Sequence, residues 1–294
     1  MEVGTQRKSD DRPVVLDLTQ PHEGVKKVPS LKESLTLISK ALPDIVDAFY
    51  STARALTILS PGSPRNVKGE NDAVNQIKNA EACFVEKVEE LQTIFQKCYT
   101  HACDYVLIRQ SPPSSERDGI LSDCLVSARF IHQNLSKWLE DFEQQLVHLE
   151  SQKPSILTSG IHAPSSPNTI SLNNAFDTLL ASLNSLRTQL QAIITFWSNH
   201  ARALYNESEP AGPQNAVGHS IDSSDNQKAV DIWLGYQMAL ISVSASLTKS
   251  VDSMGGGPKS RGESSMAQKK KGVLRSLQDF WRLITLTRWR VQGT

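Results

Sequence analysis

Apolar residues recur along most of this chain at steps of three and four residues. Five stretches of this kind cover about residues 30–59, 72–110, 116–152, 171–206 and 225–254, and segments rich in Pro, Gly and Ser separate them. Such steps place the apolar side chains on one face of an α-helix. Their mean period is close to that of helical bundles with left-handed crossings. The pattern therefore predicts an all-α fold, an elongated up-and-down bundle of about five long amphipathic helices.

Two local signals refine the first predicted helix. Ser30 followed by Glu33 forms a capping-box pattern, in which each side chain accepts a hydrogen bond from the backbone amide of the other residue. Pro43 lies inside the same apolar pattern. Because proline lacks an amide hydrogen and its ring clashes with the preceding turn, it is expected to kink the helix there.

The predicted core consists of the apolar stripes of these helices. The fourth helix has the most regular stripe, with apolar residues from Leu172 to Leu204. The stripe of the fifth helix is predicted to contain Ile232, Tyr236, Leu240, Val243, Leu247 and Val251. Large aromatic side chains on or beside such stripes usually fill space between helices rather than line a ligand pocket. We interpret three tryptophans in this way: Trp138, Trp197 and Trp233.

Composition divides the chain into four parts. Residues 1–29 hold three prolines and many charges and are predicted to form a flexible leader, in which VVLDL (14–18) is suited to docking. Residues 30–254 form the predicted bundle. Residues 255–271 start with three glycines and end with three lysines, and they are predicted to be a flexible basic linker. Residues 272–294 are predicted to form a short basic amphipathic tail helix.

The motifs that common enzymes use are missing from this sequence. It contains no GxxxxGK[ST] or GxGxxG phosphate-binding motif, no GxSxG elbow and no HExxH zinc motif. No Glu is followed three positions later by the His that di-iron bundles need. The acidic cluster at 140–143 lacks the aspartate spacing of helical terpene synthases. We therefore expect a non-enzymatic protein with no cofactor and no catalytic residue, and the alternative is an unfamiliar all-helical enzyme.

One fragment carries residue types that bind metals. Cys98 and His101 share a helix face, whereas Cys103 lies about 140° away from Cys98 around the helix. A structural zinc site requires four ligands. The preferred interpretation is therefore that Cys98 is a small core residue and that His101 lies at the boundary of the core, without a metal.

The N-terminus shows no apolar signal stretch, which indicates that the chain is not exported. All four cysteines fall in predicted helices, so they are expected to be reduced thiols. The longest apolar stretch, Ile232 to Leu247, has sixteen residues. A transmembrane helix needs about eighteen or more. These features predict a cytoplasmic protein without a transmembrane helix, which can associate peripherally with a membrane.

The charge of the chain is balanced in total but not along its length. Residues 259–294 carry nine Lys and Arg against two acidic residues, a net charge of +7. Since the whole chain has no net charge, residues 1–258 carry −7. Such a difference between segments is typical of proteins with a docking tail.

Helical spacing in the tail gathers apolar side chains on one face and directs most basic side chains away from it. A basic amphipathic helix with Trp suits an anionic membrane surface or a partner protein, and no nucleic acid is expected as a partner. The predicted docking residues are Lys269, Lys270, Lys271, Leu277, Phe280, Trp281, Arg282, Ile284, Arg288, Trp289 and Arg290.

Two other interactions are compatible with the amphipathic face of the tail helix. The tail helix can fold back onto the acidic bundle and complete its core. It also matches the 1-5-8-14 anchor spacing of calmodulin targets, at Val273, Leu277, Phe280 and Leu286.

Long antiparallel helices with tryptophans in their seams resemble the layout of helical-bundle pore-forming toxins of the hemolysin type. That resemblance implies a strongly apolar hairpin between long helices, whereas residues 153–170 here are polar. Membrane-curving BAR-type modules also have three long helices, but none of their motifs occurs here. The sequence therefore predicts a helical scaffold or interaction protein that docks on an anionic membrane, and the alternative is a membrane-perturbing or pore-forming bundle.

Overall fold

The computed structural model of the chain describes residues 30–59, 67–112, 114–159, 167–208 and 223–254. Within these ranges the backbone forms five long helices and no strand, which confirms the prediction of an all-α helical bundle. The helices are α1 (Leu31–Leu59), α2 (Val67–Gln110), α3 (Ser115–Ser159), α4 (Pro167–Ser208) and α5 (Ser223–Met254).

The chain divides into two units, residues 1–250 and 251–294. The first unit contains α1–α4 and most of α5. In the second unit only the end of α5 is described. The predicted leader (1–29), linker (255–271) and tail helix (272–294) lie outside the described residues.

Four helices pack in a closed order, in which α1 contacts α2 and α4, and α3 contacts α2 and α4. Lys87 on α2 pairs with Asp141 on α3. Ten residues further along α2, the ammonium of Lys97 lies 4.0 Å from the ring centre of Phe130 on α3. The partner number falls as the α2 number rises, so α2 and α3 are antiparallel, as expected for a short connection.

The fifth helix packs against three of the others. Trp233 on α5 contacts Tyr105 on α2 and Phe196 on α4, with ring centroids 4.6 and 5.9 Å apart. Further along α5, hydrogen bonds between neutral groups reach α1 and α2. They join Ser246 to Ser39 (Oγ–Oγ 2.5 Å), Gln92 to Thr248 (2.9 Å) and the Gln237 amide to the Ala102 carbonyl (3.2 Å).

The predicted capping box is present at the start of α1. The amide of Ser30 donates to Glu33 Oε2 over 2.8 Å, and the amide of Glu33 donates to Ser30 Oγ over 3.2 Å. Both side chains thus satisfy amides that have no partner inside the helix. Pro43 lies within α1, which continues to Leu59.

The connection between α3 and α4 is shorter than the sequence pattern predicts. Residues 153–170 are predicted as one loop, but α3 continues through Pro154 to Ser159 and α4 begins at Pro167. Burial explains the longer α3, because Ile156 beyond the proline is 0% exposed. Packing of that last turn offsets a proline penalty of about 3 kcal/mol. Proline is also well tolerated at the first position of a helix, as in α4.

The apolar stripes form the core, as predicted. Phe49, Phe84 and Phe142 connect α1, α2 and α3 through successive ring contacts with centroids 5.6 and 6.4 Å apart. Trp138 and Trp197 are buried, which confirms their interpretation as core side chains. The indole nitrogen of Trp138 donates to the Lys87 carbonyl over 2.7 Å, so its polar atom has a partner in the next helix.

The predicted stripe of α5 is wrong at its beginning. Ile232 is 36% exposed, while its neighbour Trp233 is 6% exposed and Val230 is also buried. Adjacent residues of a helix point about 100° apart, so only one of the two can face the core. Trp233 faces it because the indole fills the space between α2 and α4. Three later residues of the predicted stripe are buried as expected: Leu240, Val243 and Leu247.

This difference gives a matched pair of substitutions. We expect Trp233→Ala to lower the free energy of unfolding by about 3–5 kcal/mol, because it leaves a large cavity between helices. Ile232→Ala, one residue away, should cost about 1 kcal/mol or less. Urea unfolding followed by far-ultraviolet circular dichroism measures both. Equal losses for the two variants would contradict the described orientation of α5.

Candidate functional site

Two histidines from different helices meet inside the bundle. Nε2 of His101 on α2 lies 2.8 Å from Nε2 of His200 on α4, within hydrogen-bonding distance. Such a bond needs a hydrogen on one of the two nitrogens and a lone pair on the other. His101 is only 1% exposed and His200 is partly buried. The pair therefore consists of at least one neutral imidazole in a position shielded from water.

Aromatic rings surround this imidazole pair. Trp233 from α5 lies 5.7 Å from the ring centroid of His101 and 4.6 Å from that of His200. Trp197 and Tyr105 each contact both imidazoles, with centroid distances between 5.0 and 6.4 Å. The three helices α2, α4 and α5 thus each place at least one ring around the pair. We call these five residues the imidazole cluster.

An arginine closes one end of the cluster. Arg109, one turn beyond Tyr105 on α2, donates to the phenolic oxygen of Tyr105 over 2.5 Å and to Glu207 Oε2 over 2.6 Å. Arg117 on α3 lies 3.7 Å from the other oxygen of Glu207. The carboxylate is therefore shared by two guanidinium groups, and Arg109 connects it to the phenol of Tyr105 in the cluster.

Burial sets the protonation state of the pair. It lowers the pKa of His101 to about 4, because the charged imidazolium would lose its hydration. The pKa of His200 is also well below its usual value, first through burial and then through repulsion from a charged His101 and from Arg109. Both imidazoles are therefore neutral at neutral pH.

Two nitrogens in the cluster lack a hydrogen-bond partner among the described residues. They are Nδ1 of His101 and Nε1 of Trp197, and both are buried. An unsatisfied buried polar atom costs about 1–3 kcal/mol. The cluster is therefore held together by its rings and by the single imidazole–imidazole contact, at the expense of two unmade hydrogen bonds.

The cluster offers two proton-accepting imidazoles, of which that of His101 is enclosed and that of His200 is partly buried. A substrate reaches His101 only if the rings around it separate, because its side chain has almost no exposed surface. Within the described ranges, no three His, Cys, Asp or Glu side chains are grouped so that they could hold a metal ion. Cys98 is buried in the core as predicted. The imidazole of His101 contacts His200 on α4.

The interpretation of His101 as a boundary residue is wrong, since its side chain is buried. Histidine is buried less often than apolar residues and more often than charged ones, so residue type alone does not decide its burial. The helix face that His101 shares with the core residue Cys98 predicts its burial better. His200 is not among the predicted site residues, because it lies beside the apolar stripe of α4. A usable signal was the spacing of rings on single helices, since Tyr105 follows His101 by four residues and His200 follows Trp197 by three.

Away from the imidazole cluster, a concave surface lies mainly between α2 and α3. It is a groove of about 560 Å³ with an apolar floor that includes Phe84 and Phe142, and a rim rich in amides such as Gln76 and Gln145. This volume is in the usual range of small-molecule sites. Its one close pair of opposite charges is Lys87 with Asp141, 3.1 Å apart. The amides and the apolar floor favour a neutral ligand.

Acidic side chains are concentrated on the α2–α3 hairpin. The α2 helix has seven acidic against five basic residues, and α3 has seven against four. Acidic and basic residues are equal in number on α1 and on α4, and α5 has a single excess negative charge. Much of the negative charge that the sequence assigns to the bundle therefore belongs to one pair of adjacent helices.

Among the described helices, one is long and apolar enough by length and composition to cross a membrane, namely Asn226–Met254 of α5, which contains an 18-residue window with a mean hydropathy of 1.2. The sequence predicts no transmembrane helix, because serines interrupt the apolar run of α5. Core helices of soluble bundles pass the same test. Only 33% of the apolar window in α5 is buried, however. Its exposed apolar side chains are Ile232, Leu234 and Met238.

All the docking residues predicted in the tail, from Lys269 to Arg290, lie outside the described residues. The structure therefore neither groups nor separates them. Comparison with protein-family models, with curated proteins and with solved structures finds no match to this chain.

The imidazole cluster generates a prediction on pH. Because folding lowers the histidine pKa values, the unfolded chain binds more protons below pH 6.5, and stability falls as the pH falls. For His101 alone the free energy of unfolding should decrease by about 3 kcal/mol between pH 6.5 and about 4. Urea unfolding at a series of pH values measures this loss.

The test variant is His101→Gln/His200→Gln, which removes both titrating groups. The control is His132→Gln, which changes a histidine on α3 outside the cluster. We expect the double variant to lose much of the pH dependence in this window, and the His132 variant to keep it. The same slope in all three chains would show that the pair does not control acid stability.

Proposed function

We propose that this chain is a non-enzymatic helical scaffold that attaches to anionic membrane surfaces through its basic C-terminal segment. The observation that carries the proposal is the division of charge along the chain, with +7 on residues 259–294 and −7 on the rest. Each basic residue close to an anionic surface contributes about 1 kcal/mol to binding. Aromatic residues such as Phe280 and Trp281 would add apolar contact with the lipid.

The distribution of charge in the bundle supports a preferred orientation. An anionic surface repels the α2–α3 hairpin, which carries the acidic excess. It has little effect on α1, α4 and α5, where acidic and basic residues nearly balance. A scaffold attached by its tail would therefore present α2 and α3 to the surrounding solution, where other proteins can bind.

Vesicle co-sedimentation tests the attachment. We expect the full chain to sediment with phosphatidylcholine vesicles only when they contain phosphatidylglycerol, and the bound fraction should fall as salt screens the charges. Deletion of residues 269–291 should abolish binding, and Trp281→Asp should weaken it strongly. Tyr50→Asp is the matched control, because Tyr50 is an exposed aromatic residue on α1, and this variant should bind like the unchanged chain.

Other outcomes would replace the proposal. Release of an encapsulated dye by the full chain at neutral pH would favour a pore-forming bundle. Calcium-dependent capture by calmodulin without lipid binding would favour a calmodulin-regulated scaffold. If deletion of 269–291 only lowers the stability of the bundle, the tail completes the core and the attachment proposal is wrong.

A further inference from the structure

Helix α5 has two apolar faces, and only one is used in the bundle. Val230, Trp233, Leu240 and Leu247 face the core. Ile232, Leu234 and Met238 are exposed, and Met238 is 67% exposed. Between Val230 and Thr248 the only charged residue is Asp231. A second apolar face on one helix favours burial in a protein or a membrane over contact with water.

The N-terminal part of α5 packs against the bundle through Trp233 of the imidazole cluster. Trp233 covers both imidazoles, while α2 and α4 supply the histidines themselves. Trp233 also contacts Tyr236 on its own helix. Any change that makes the imidazole pair unfavourable in its aromatic surroundings therefore acts directly on the packing of α5.

Protonation is such a change. Among the described residues, the charged and titratable groups in contact with the pair, with the rings around it or with Arg109 are Tyr105 and Arg109 from α2, Glu207 from α4, Arg117 and Cys124 from α3, and Tyr236 from α5. The only carboxylate among them, that of Glu207, is engaged by the two arginines. Among the described residues, an imidazolium formed here is repelled by Arg109, and the one carboxylate near it is already engaged.

An imidazolium in this position gains most by becoming hydrated, because burial of an unpaired charge is costly. Water can reach the pair if Trp233 moves away. The histidines themselves are less free to separate, because α4 is packed against both α1 and α3, and α2 is packed against α3. Opening on the α5 side therefore disturbs the smallest part of the core.

We propose that the imidazole cluster is an acid-sensitive latch, and that its protonation releases α5 from the bundle to enter the apolar layer of an anionic membrane. The partner is a lipid bilayer, because the released helix presents its buried apolar face in addition to the exposed one. This inference extends the proposed attachment to membranes, since the tail would bring α5 to the bilayer. Entry of α5 into the bilayer does not itself require that the tail makes the attachment.

The test separates the two proposals by holding the chain at the membrane independently of its tail. The full chain carries an N-terminal biotin and is bound through streptavidin to vesicles that contain phosphatidylglycerol. Met238→Cys, in a chain with Cys83→Ser and Cys103→Ser, carries an environment-sensitive NBD dye. The two remaining thiols, Cys98 and Cys124, are buried. NBD emission rises when the dye enters hydrocarbon, so it reports the entry of α5.

We expect NBD emission to stay low at neutral pH and to rise several-fold on acidification, with a midpoint between pH 6.5 and about 4. His101→Gln/His200→Gln should abolish the rise within this window, whereas His132→Gln should leave it unchanged. Circular dichroism at neutral pH shows whether each variant is folded. A rise of the same size and midpoint in the double histidine variant would overturn the latch.

A reversible lock tests the release of α5 without altering the histidines. The hydroxyl oxygens of Ser39 and Ser246 are 2.5 Å apart, which suits a disulfide after Ser39→Cys/Ser246→Cys. The oxidised chain should lose the acid-dependent NBD rise, and a reducing agent should restore it. A rise that persists with the disulfide closed would overturn the release of α5. Absence of any rise in the reduced chain at the membrane would overturn the whole inference, whatever the tail does.

Discussion

The apolar stripe of α4 is the constraint on which the rest of the bundle depends. Its side chains from Leu172 to Leu204 are buried against both α1 and α3. Towards its C-terminal end the same helix supplies Phe196, Trp197 and His200, which contact α2 and α5. Each of the other helices therefore packs, over at least part of its length, against one continuous apolar surface. A helix with this role has little freedom to rotate or shift, because any change would disturb several interfaces together.

Two aromatic sites in this interior make hydrogen bonds between helices. Trp138 gives its indole hydrogen to a carbonyl of α2, and the histidines meet across α2 and α4. The first arrangement satisfies its donor fully, whereas the second leaves one nitrogen of His101 without a partner in the described part of the chain. Buried polar networks are stable when every member is satisfied and costly when one is not. The imidazole cluster is therefore a weak region within a well-packed core.

The sequence predicts this fold well because apolar spacing reports directly on helix faces. The stripes of α1–α4, the capping box at Ser30 and the burial of three tryptophans all follow from it. The same reasoning fails where neighbouring residues are similarly apolar. Ile232 and Trp233 compete for one face of α5, and the size of the gap between α2 and α4 decides between them. The helix ends near Pro154 were also missed, because tertiary packing outweighs a local proline penalty.

The candidate site was far less predictable than the fold. A contact between His101 and His200 depends on the relative register of two helices separated by a full hairpin, and apolar periodicity does not determine register. Titratable residues in apolar stripes carry no sequence signature of their partners. The tail is the opposite case, since its charge and amphipathic pattern are visible in the sequence and its residues lie outside the described ranges.

The closeness of indole rings to the imidazole pair has an optical consequence. Trp197 and Trp233 both lie within van der Waals range of the histidines, whereas Trp138 is built into the α2–α3 interface. A protonated imidazole quenches the emission of a neighbouring indole by accepting an electron from its excited state, and a neutral imidazole does so much less. The two tryptophans of the cluster are therefore built-in reporters of the charge on the buried pair, and they need no added label.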